Sequence, residues 1–316
     1  MVMNTKPASR EDVCPAGLSA KERELIELDG KQWIQELLGA DMRRLWRVDE
    51  VLWEGDTDYQ HVVVGRTGQG IALFCDDDRQ STEFSQLVYH EAMMVPGFLL
   101  AEQLERVLIV GSSEGVASRM AVQAGASRVD HVDIDRECVR VCAEHLPYGY
   151  RSADLTDLEE GNGPITLHYT DGWSFLDKAI GTGQRYDLVV VDLPDERAED
   201  TDSQHNRLYG EEFIRRCQAV LAPGGVVGFQ AGSPTIWRNT TLTRAYNRFR
   251  TVFDTVTYFG SDEHEWAFLF GRVEQLDDPV NVMLDALPKS SYEPETVDDA
   301  SLIGLTVPPY SVRHQE

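Results

Sequence analysis

The chain has 316 residues, 42% of them hydrophobic, enough apolar material for one large domain or two modest ones, which excludes disorder throughout. Its 54 acids and 29 bases leave a net charge of −25, the wrong sign for affinity built on neutralising phosphates, so nucleic acid and anionic membranes are poor partners. Five cysteines (Cys14, Cys75, Cys138, Cys142, Cys217) are odd in number and never form CxxC, which argues against a disulfide framework and a zinc site.

No apolar run reaches the ~18 residues that a membrane span needs, and the opening MVMNTKPASRED lacks the apolar core of a signal peptide. A cytoplasmic location is therefore expected. Residues 1 to 15 read as a tail, while residues 19–38 (SAKERELIELDGKQWIQELL) have helical apolar spacing and a Ser cap ahead of Glu22, predicting an appended helix. From Leu45 to Cys75 the pattern turns strand-like, as LWRVDEVLWEG, YQHVVVGRTG and GIALFC separated by glycine-containing turns. A second helix is expected over residues 85–100.

From Arg106 onward apolar strands alternate with helical stretches, the signature of a parallel sheet covered by helices. The expected strands are residues 106–111, 128–135, 165–170, 186–192 and 224–230, with a closing pair near 255–260 and 266–273. After Asp277 the chain is rich in Pro, Asp and Ser and is expected to wrap the surface, with VPPY (307–310) as its anchor. The resulting organisation is a tail and helix over residues 1–44, a small antiparallel β domain over 45–95, a nucleoside-binding catalytic domain over 96–276 and an extension over 277–316.

In an open parallel sheet, ligands bind outside the carboxyl ends of the strands. The first of these strands is followed by Gly111-Ser112-Ser113-Glu114-Gly115, a tight turn into a helix but not GxGxxG. Its serines and the anionic Glu114 count against a pyrophosphate and for a ligand carrying positive charge. The second strand ends in Asp133-Ile134-Asp135, roughly 20 residues after that glycine, where an acid accepts the ribose hydroxyls. Asp133 is the choice for that role. Thr170-Asp171-Gly172 ends the third strand and offers an acceptor for the amine of adenine, and Asp192-Leu193-Pro194-Asp195 ends the fourth. Each acid alone is more simply a solvated strand-end residue. Together they suit a nucleoside with a cationic sulfonium and an amine, S-adenosylmethionine or its decarboxylated form.

These residues, with Tyr59-Gln60, Gln80-Ser81-Thr82-Glu83, Tyr89-His90-Glu91, Leu208-Tyr209 and Pro223-Gly224-Gly225, fall in the order of a known set of motifs. From about Leu45 to Tyr310 the chain resembles the spermidine synthase family of polyamine aminopropyltransferases. The resemblance implies a small N-terminal antiparallel β domain followed by a Rossmann-like, class I methyltransferase-like doubly wound α/β domain, a homodimer and a place in polyamine biosynthesis. It implies that Gln60, Gly111, Asp133, Asp171 and Gly172 hold the nucleoside, that Glu114 holds the amine of the donor's propyl chain, and that Asp192 is the proton acceptor. Tyr89, His90 and Asp195 would contact the amine acceptor, and Trp266 stands beside them as a further substrate-binding candidate.

The departures cluster. Ser112, Ser113 and Glu114 stand where the family has glycines and Asp, Cys75-Asp76-Asp77 replaces Leu-Asp-Gly, and Ser85-Gln86 replaces an Asp-Glu pair. ERAEDTDSQHN (196–206) replaces a Pro-x-Gly-Pro gate, and residues 260–265 (GSDEHE) replace an acceptor-lining Pro-Thr-Tyr. Most of these changes lie at the acceptor end, so the acceptor is open and putrescine is not assumed. The first expectation is transfer of an aminopropyl group from decarboxylated S-adenosylmethionine to a small amine. The second is a methyltransferase or aminocarboxypropyl transferase using intact S-adenosylmethionine, which needs a cation for the donor's carboxylate; Arg119 is the nearest along the chain. A non-catalytic nucleoside-binding protein ranks last.

His61, His131, His168 and His205 show no paired ligand spacing and read as surface or strand histidines, so no metal is expected. His264 reads either as lining the acceptor pocket or as part of a solvated loop. Trp237 and Trp266 could stack on a ligand, with a core role the default for aromatics; Cys138 and Cys142 read as small core residues on a helix, and the acid run 196–202 as a solvated lid.

Overall fold

A computed structural model describes residues 25–39, 42–196, 204–261 and 263–314. The described residues begin with a three-stranded antiparallel sheet: β1 (Ile26–Leu28), β2 (Lys31–Gly39) and β3 (Met42–Val48). The helix expected over 19–38 is therefore replaced by strands from Ile26 on, and residues 19–24 lie outside the described residues. Asp29 and Gly30 explain the difference. Both have positive φ, 54° and 68°, and Leu28 pairs with Lys31, so Asp-Gly forms a two-residue hairpin turn whose twist matches the strands it joins. The helical spacing of the flanking apolar residues cannot compete with a chain reversal in their midst.

A second antiparallel sheet follows in sequential order, β4 (Glu50–Asp56), β5 (His61–Thr67), β6 (Gly70–Cys75) and β7 (Asp78–Thr82). The expected 45–55 strand is two strands, interrupted at Asp49, whose N–H donates to the Arg66 carbonyl at 2.8 Å. β7 escapes a hydrophobic-pattern reading because DRQST has no apolar member, yet Arg79, Ser81 and Thr82 are all buried.

Helix α1 (Gln86–Leu100) leads into the main sheet and passes residue 95 without a break. Then come β8 (Arg106–Gly111), α2 (Val116–Gln123), β9 (Arg128–Asp133), α3 (Arg136–His145), α4 (Leu155–Glu160), β10 (Ile165–Tyr169), α5 (Gly172–Thr182) and β11 (Tyr186–Asp192). The sheet is completed by α6 (Glu211–Ala219), β12 (Leu221–Gln230), α7 (Thr240–Val252), β13 (Thr255–Gly260) and β14 (Ala267–Arg272). Its seven strands run in the order β10-β9-β8-β11-β12-β14-β13, parallel from β10 to β12, with β14 antiparallel to both neighbours. Val107, Leu108 and Ile109 on β8 and Leu188, Val189 and Val190 on β11 are wholly buried, the continuous apolar run of strands covered on both faces. Strand order reverses between β8 and β11, and a ligand crevice opens at the carboxyl ends there.

The extension carries α8 (Pro279–Ala286), α9 (Asp299–Gly304) and α10 (Tyr310–Arg313). VPPY is not its anchor: Val307 and Tyr310 are 60% and 72% exposed, whereas Met283 and Leu302 are 0% exposed. Buried Glu91 of α1 ties the segment down, accepting from the Tyr292 hydroxyl (3.0 Å), the Glu295 N–H (2.8 Å) and both N–H (2.6 Å) and hydroxyl (2.5 Å) of Thr296.

Candidate active site

The carboxyl ends of β8, β9, β10 and β11 wall a cavity of about 240 Å³, which β2, β6 and β7 also reach. Ten of the eleven residues singled out from sequence line it: Gln60, Tyr89, Gly111, Glu114, Asp133, Asp171, Gly172, Asp192, Asp195 and Trp266. His90 does not. Consecutive helical residues point about 100° apart, and on α1 that turn takes the His90 ring out of the cavity wall that Tyr89 forms. The His90 ring is buried, its Nδ1 is 2.7 Å from the Gln86 carbonyl, and its centroid lies 5.3 Å from that of Tyr89.

The turn after β8 is shaped by backbone contact. Gly111 has φ 84°, and a Cβ there would sit 2.1 Å from the Asp192 carbonyl oxygen, so only glycine lets β8 and β11 close at the rim. His131 holds the same turn from below. Its Nε2 lies 2.7 Å from the Gly111 carbonyl and must donate, leaving Nδ1 to accept from the Tyr150 hydroxyl at 2.8 Å. Burial pulls the His131 pKa down to about 4, so the ring is neutral at physiological pH.

At the nucleoside end, Asp133 Oδ1 accepts the Asp135 N–H and Oδ2 the Ser113 hydroxyl, each at 2.8 Å. Burial, with the neighbouring Cys138 adding to it, pushes Asp133 up to about 7. Asp135, two residues on, caps α3 through the Cys138 N–H (3.0 Å) and accepts from Thr57 Oγ1 (2.6 Å) and Gln60 Nε2 (3.0 Å). Gln60 is thus tethered to Asp135, which sequence reasoning passed over in favour of Asp133 although both stand in the same Asp-Ile-Asp. Asp171 caps α5, accepting from the N–H and hydroxyl of Ser174 at 3.0 Å each, and its other oxygen takes Arg207 at 2.5 Å.

At the centre, the Tyr89 hydroxyl donates to Asp192 Oδ1 at 2.6 Å. Burial raises the Asp192 pKa to about 6, the charge of Glu114 adds to that rise, and the Tyr89 bond opposes it. Burial and the Asp192 charge push Tyr89 itself well above the usual phenol range, so it stays a donor. Beyond Asp192, the Tyr209 hydroxyl lies 2.8 Å from the Pro194 carbonyl and 3.0 Å from the Leu193 carbonyl and Gln230 Oε1, fixing the loop that carries Asp195. Asp195 accepts from Gln230 Nε2 at 2.8 Å.

Glu36, Arg79 and Arg238 also line this far end, and none was singled out from sequence. They come from β2, β7 and the segment before α7, so no local motif brings them together. Buried Glu36 accepts from Trp46 Nε1 at 2.7 Å, and Arg44 pairs with both oxygens of Glu265 at 2.6 and 2.7 Å.

Most of the remaining sequence candidates lie elsewhere. His264 neither lines the cavity nor sits in a solvated loop: it is buried, accepts the Trp266 N–H at 3.2 Å, and burial lowers it to about 4. Trp237 is 65% exposed and no core aromatic. Arg119 pairs with Asp154 outside the cavity. Cys75 and Cys138 are buried in the cavity wall, with Cys142 buried behind them. Of the acid run 196–202, residues 197–202 lie outside the described residues, and Glu196 pairs with Arg248 at 2.9 Å. Among the described residues no group of three His, Cys, Asp or Glu is placed to hold a metal, and no helix is long and apolar enough to cross a membrane.

Sheet order and rim place the chain among the doubly wound, Rossmann-like α/β proteins, with an added pair of N-terminal β-sheets. A family profile described as "Spermine/spermidine synthase domain" matches residues 86–261. The polyamine aminopropyltransferase of Aeropyrum pernix is 30% identical over 246 residues, covering 75% of this chain and 74% of that one. Polyamine aminopropyltransferase 1 of Hyperthermus butylicus is 27% identical over 224 residues, covering 70% and 73%. Spermidine synthase of Thermotoga maritima shares the fold with a TM-score of 0.75 at 19% identity, over 94% of this chain and 98% of that one. A spermidine synthase in complex with the transition-state analogue AdoDATO gives 0.76, also at 19%, over 92% and 97%. The chain belongs to the spermine/spermidine synthase family, as its motifs led one to expect.

Proposed function

We propose that this protein is an aminopropyltransferase that uses decarboxylated S-adenosylmethionine as donor and a small amine as acceptor. The observation that carries the reading is the Tyr89–Asp192 pair in a cavity with Glu114, between nucleoside-side acids and a separate far end. An aliphatic amine with a pKa of about 10 is protonated at neutral pH and cannot attack carbon. Asp192 holds it and takes a proton as the amine nitrogen attacks the propyl carbon next to sulfur. The C–S bond breaks with its electron pair passing to sulfur, which neutralises the sulfonium, so methylthioadenosine departs without an acid.

In this reading Asp133, Asp135 and Gln60 hold the ribose side, Asp171 and Gly172 the base, and Glu114 the donor's amine. Tyr89 orients Asp192 and keeps it ionised, while Asp195 and Trp266 face the acceptor. Held reactants supply much of the acceleration through proximity. The intact-donor alternative needs a cation near Glu114, and Arg119, the candidate from sequence, is engaged by Asp154. The proposal extends to a homodimer located in the cytoplasm and to the four-part organisation expected from sequence, with strands in place of the first helix. Its test is product analysis: incubation with decarboxylated and with intact S-adenosylmethionine and a panel of amines. Methylthioadenosine from the decarboxylated donor supports the reading; adenosylhomocysteine with a methylated product refutes it.

A further inference from the structure

The far end of the cavity is built differently from the rest. Arg238 lines it with its guanidinium 4.9 Å from the Trp266 ring centroid, and its ion pair among the described residues is a loose one, 3.5 Å to Asp195. A guanidinium has five N–H donors, and stacking on an aromatic face leaves the in-plane ones available. Arg79 lines the same end. It is 8% exposed, bonds Glu265 at 3.2 Å through one terminal nitrogen, and its Nε has no hydrogen-bond partner. A buried guanidinium with an unsatisfied donor is costly, and an anion placed beside it offsets that cost through its charge.

The acids at this end are already matched. Glu265 pairs with Arg44 and Arg79, Glu36 lies 3.6 Å from Arg44, and Asp195 lies beside Arg238. The distal ammonium of a simple diamine meets an arginine beside each of them, whereas a carboxylate meets two guanidiniums with donors to spare.

Resting on the proposed aminopropyl transfer, we infer that the acceptor is an amine bearing a carboxylate, of the diamino-acid or ω-amino-acid class, whose carboxylate is bound by Arg238 and Arg79. Ornithine and putrescine make the cleanest comparison, because they differ by that one group, with 4-aminobutyrate as a third probe. Each is titrated calorimetrically into the protein saturated with methylthioadenosine, and each is offered with decarboxylated donor for turnover.

The expected result is ornithine binding about tenfold or more tighter than putrescine, the size of one charge-assisted contact, with the preference lost in Arg238→Met. Putrescine binding as tightly as ornithine and 4-aminobutyrate overturns the inference, and does so even if methylthioadenosine is released and the transferase reading stands. Absence of methylthioadenosine with every acceptor counts against the transferase reading alone, since the binding order still decides this one. An Arg238-dependent preference for intact over decarboxylated donor, with no preference among acceptors, assigns the carboxylate to the donor and also overturns it.

Discussion

Tyr89 on α1 donates its phenolic proton to Asp192 at the end of β11, 2.6 Å away, across the switch point of the sheet. The bond favours the ionised carboxylate, while burial and the Glu114 charge oppose it, leaving Asp192 with a pKa of about 6. If Asp192 accepts the proton, kcat/KM for the free enzyme rises with pH through about 6 and levels above it. Removing the donor in Tyr89→Phe moves that midpoint to higher pH. A pH–rate profile of both proteins checks this, and an unmoved midpoint assigns the limb to another group.

Asp133 carries a linked prediction for stability. Its pKa is raised to about 7 in the folded chain, above the ~3.9 of an unfolded aspartate. Between those values the folded state holds more protons than the unfolded one, so this residue's contribution to stability falls as pH rises through the window. Asp133→Asn keeps an acceptor for the Asp135 N–H but never ionises. The variant is expected to gain in melting temperature relative to the parent at pH 8 and to lose most of that gain by pH 5, while binding methylthioadenosine more weakly. Thermal melts at the two pH values, with calorimetry, measure both effects.

Gly111 is the tightest point of the rim. Alanine there combines a left-handed φ of 84° with a Cβ 2.1 Å from the Asp192 carbonyl oxygen. Since a backbone atom has to move, Gly111→Ala should cost about 2–4 kcal/mol and displace Asp192 as well. Denaturant unfolding gives the loss. A drop in turnover larger than the loss of folded protein shows the displaced carboxylate.

Glu91, one residue beyond His90, works on the opposite side of α1. Four donors from Tyr292, Glu295 and Thr296 converge on its buried carboxylate. Glu91→Ala strands them, at a cost of about 3 kcal/mol or more. Limited proteolysis should then cut near residues 287–297, where the parent chain resists.

Much of the architecture is legible because apolar periodicity survives in the strands that two layers of helices bury. β8, β11 and β13 have the expected bounds, as does helix α1 to within a residue. The failures have local causes. Asp29-Gly30 reverses a segment whose apolar spacing is helical, and β7 is a polar strand held by its neighbours and by the burial of Arg79. In the extension, isolated residues such as Met283 and Leu302 do the anchoring and leave no pattern.

The site divides in the same way. Residues that end strands can be found by position, which is why Asp133, Asp171 and Asp192 all reach the cavity. His90 fails because a motif gives adjacency in the chain, and a helix turns adjacent residues apart. Glu36, Arg79 and Arg238 are invisible beforehand, because only folding brings β2, β7 and the segment before α7 to one wall.

Replacing the Asp192 carboxylate by its amide, with turnover and methylthioadenosine affinity measured on the same preparation, decides most directly whether that group takes the proton. Asp192→Asn should lower turnover by ~10²-fold or more and leave nucleoside affinity nearly unchanged. Lost nucleoside binding alongside undiminished chemistry would contradict the account.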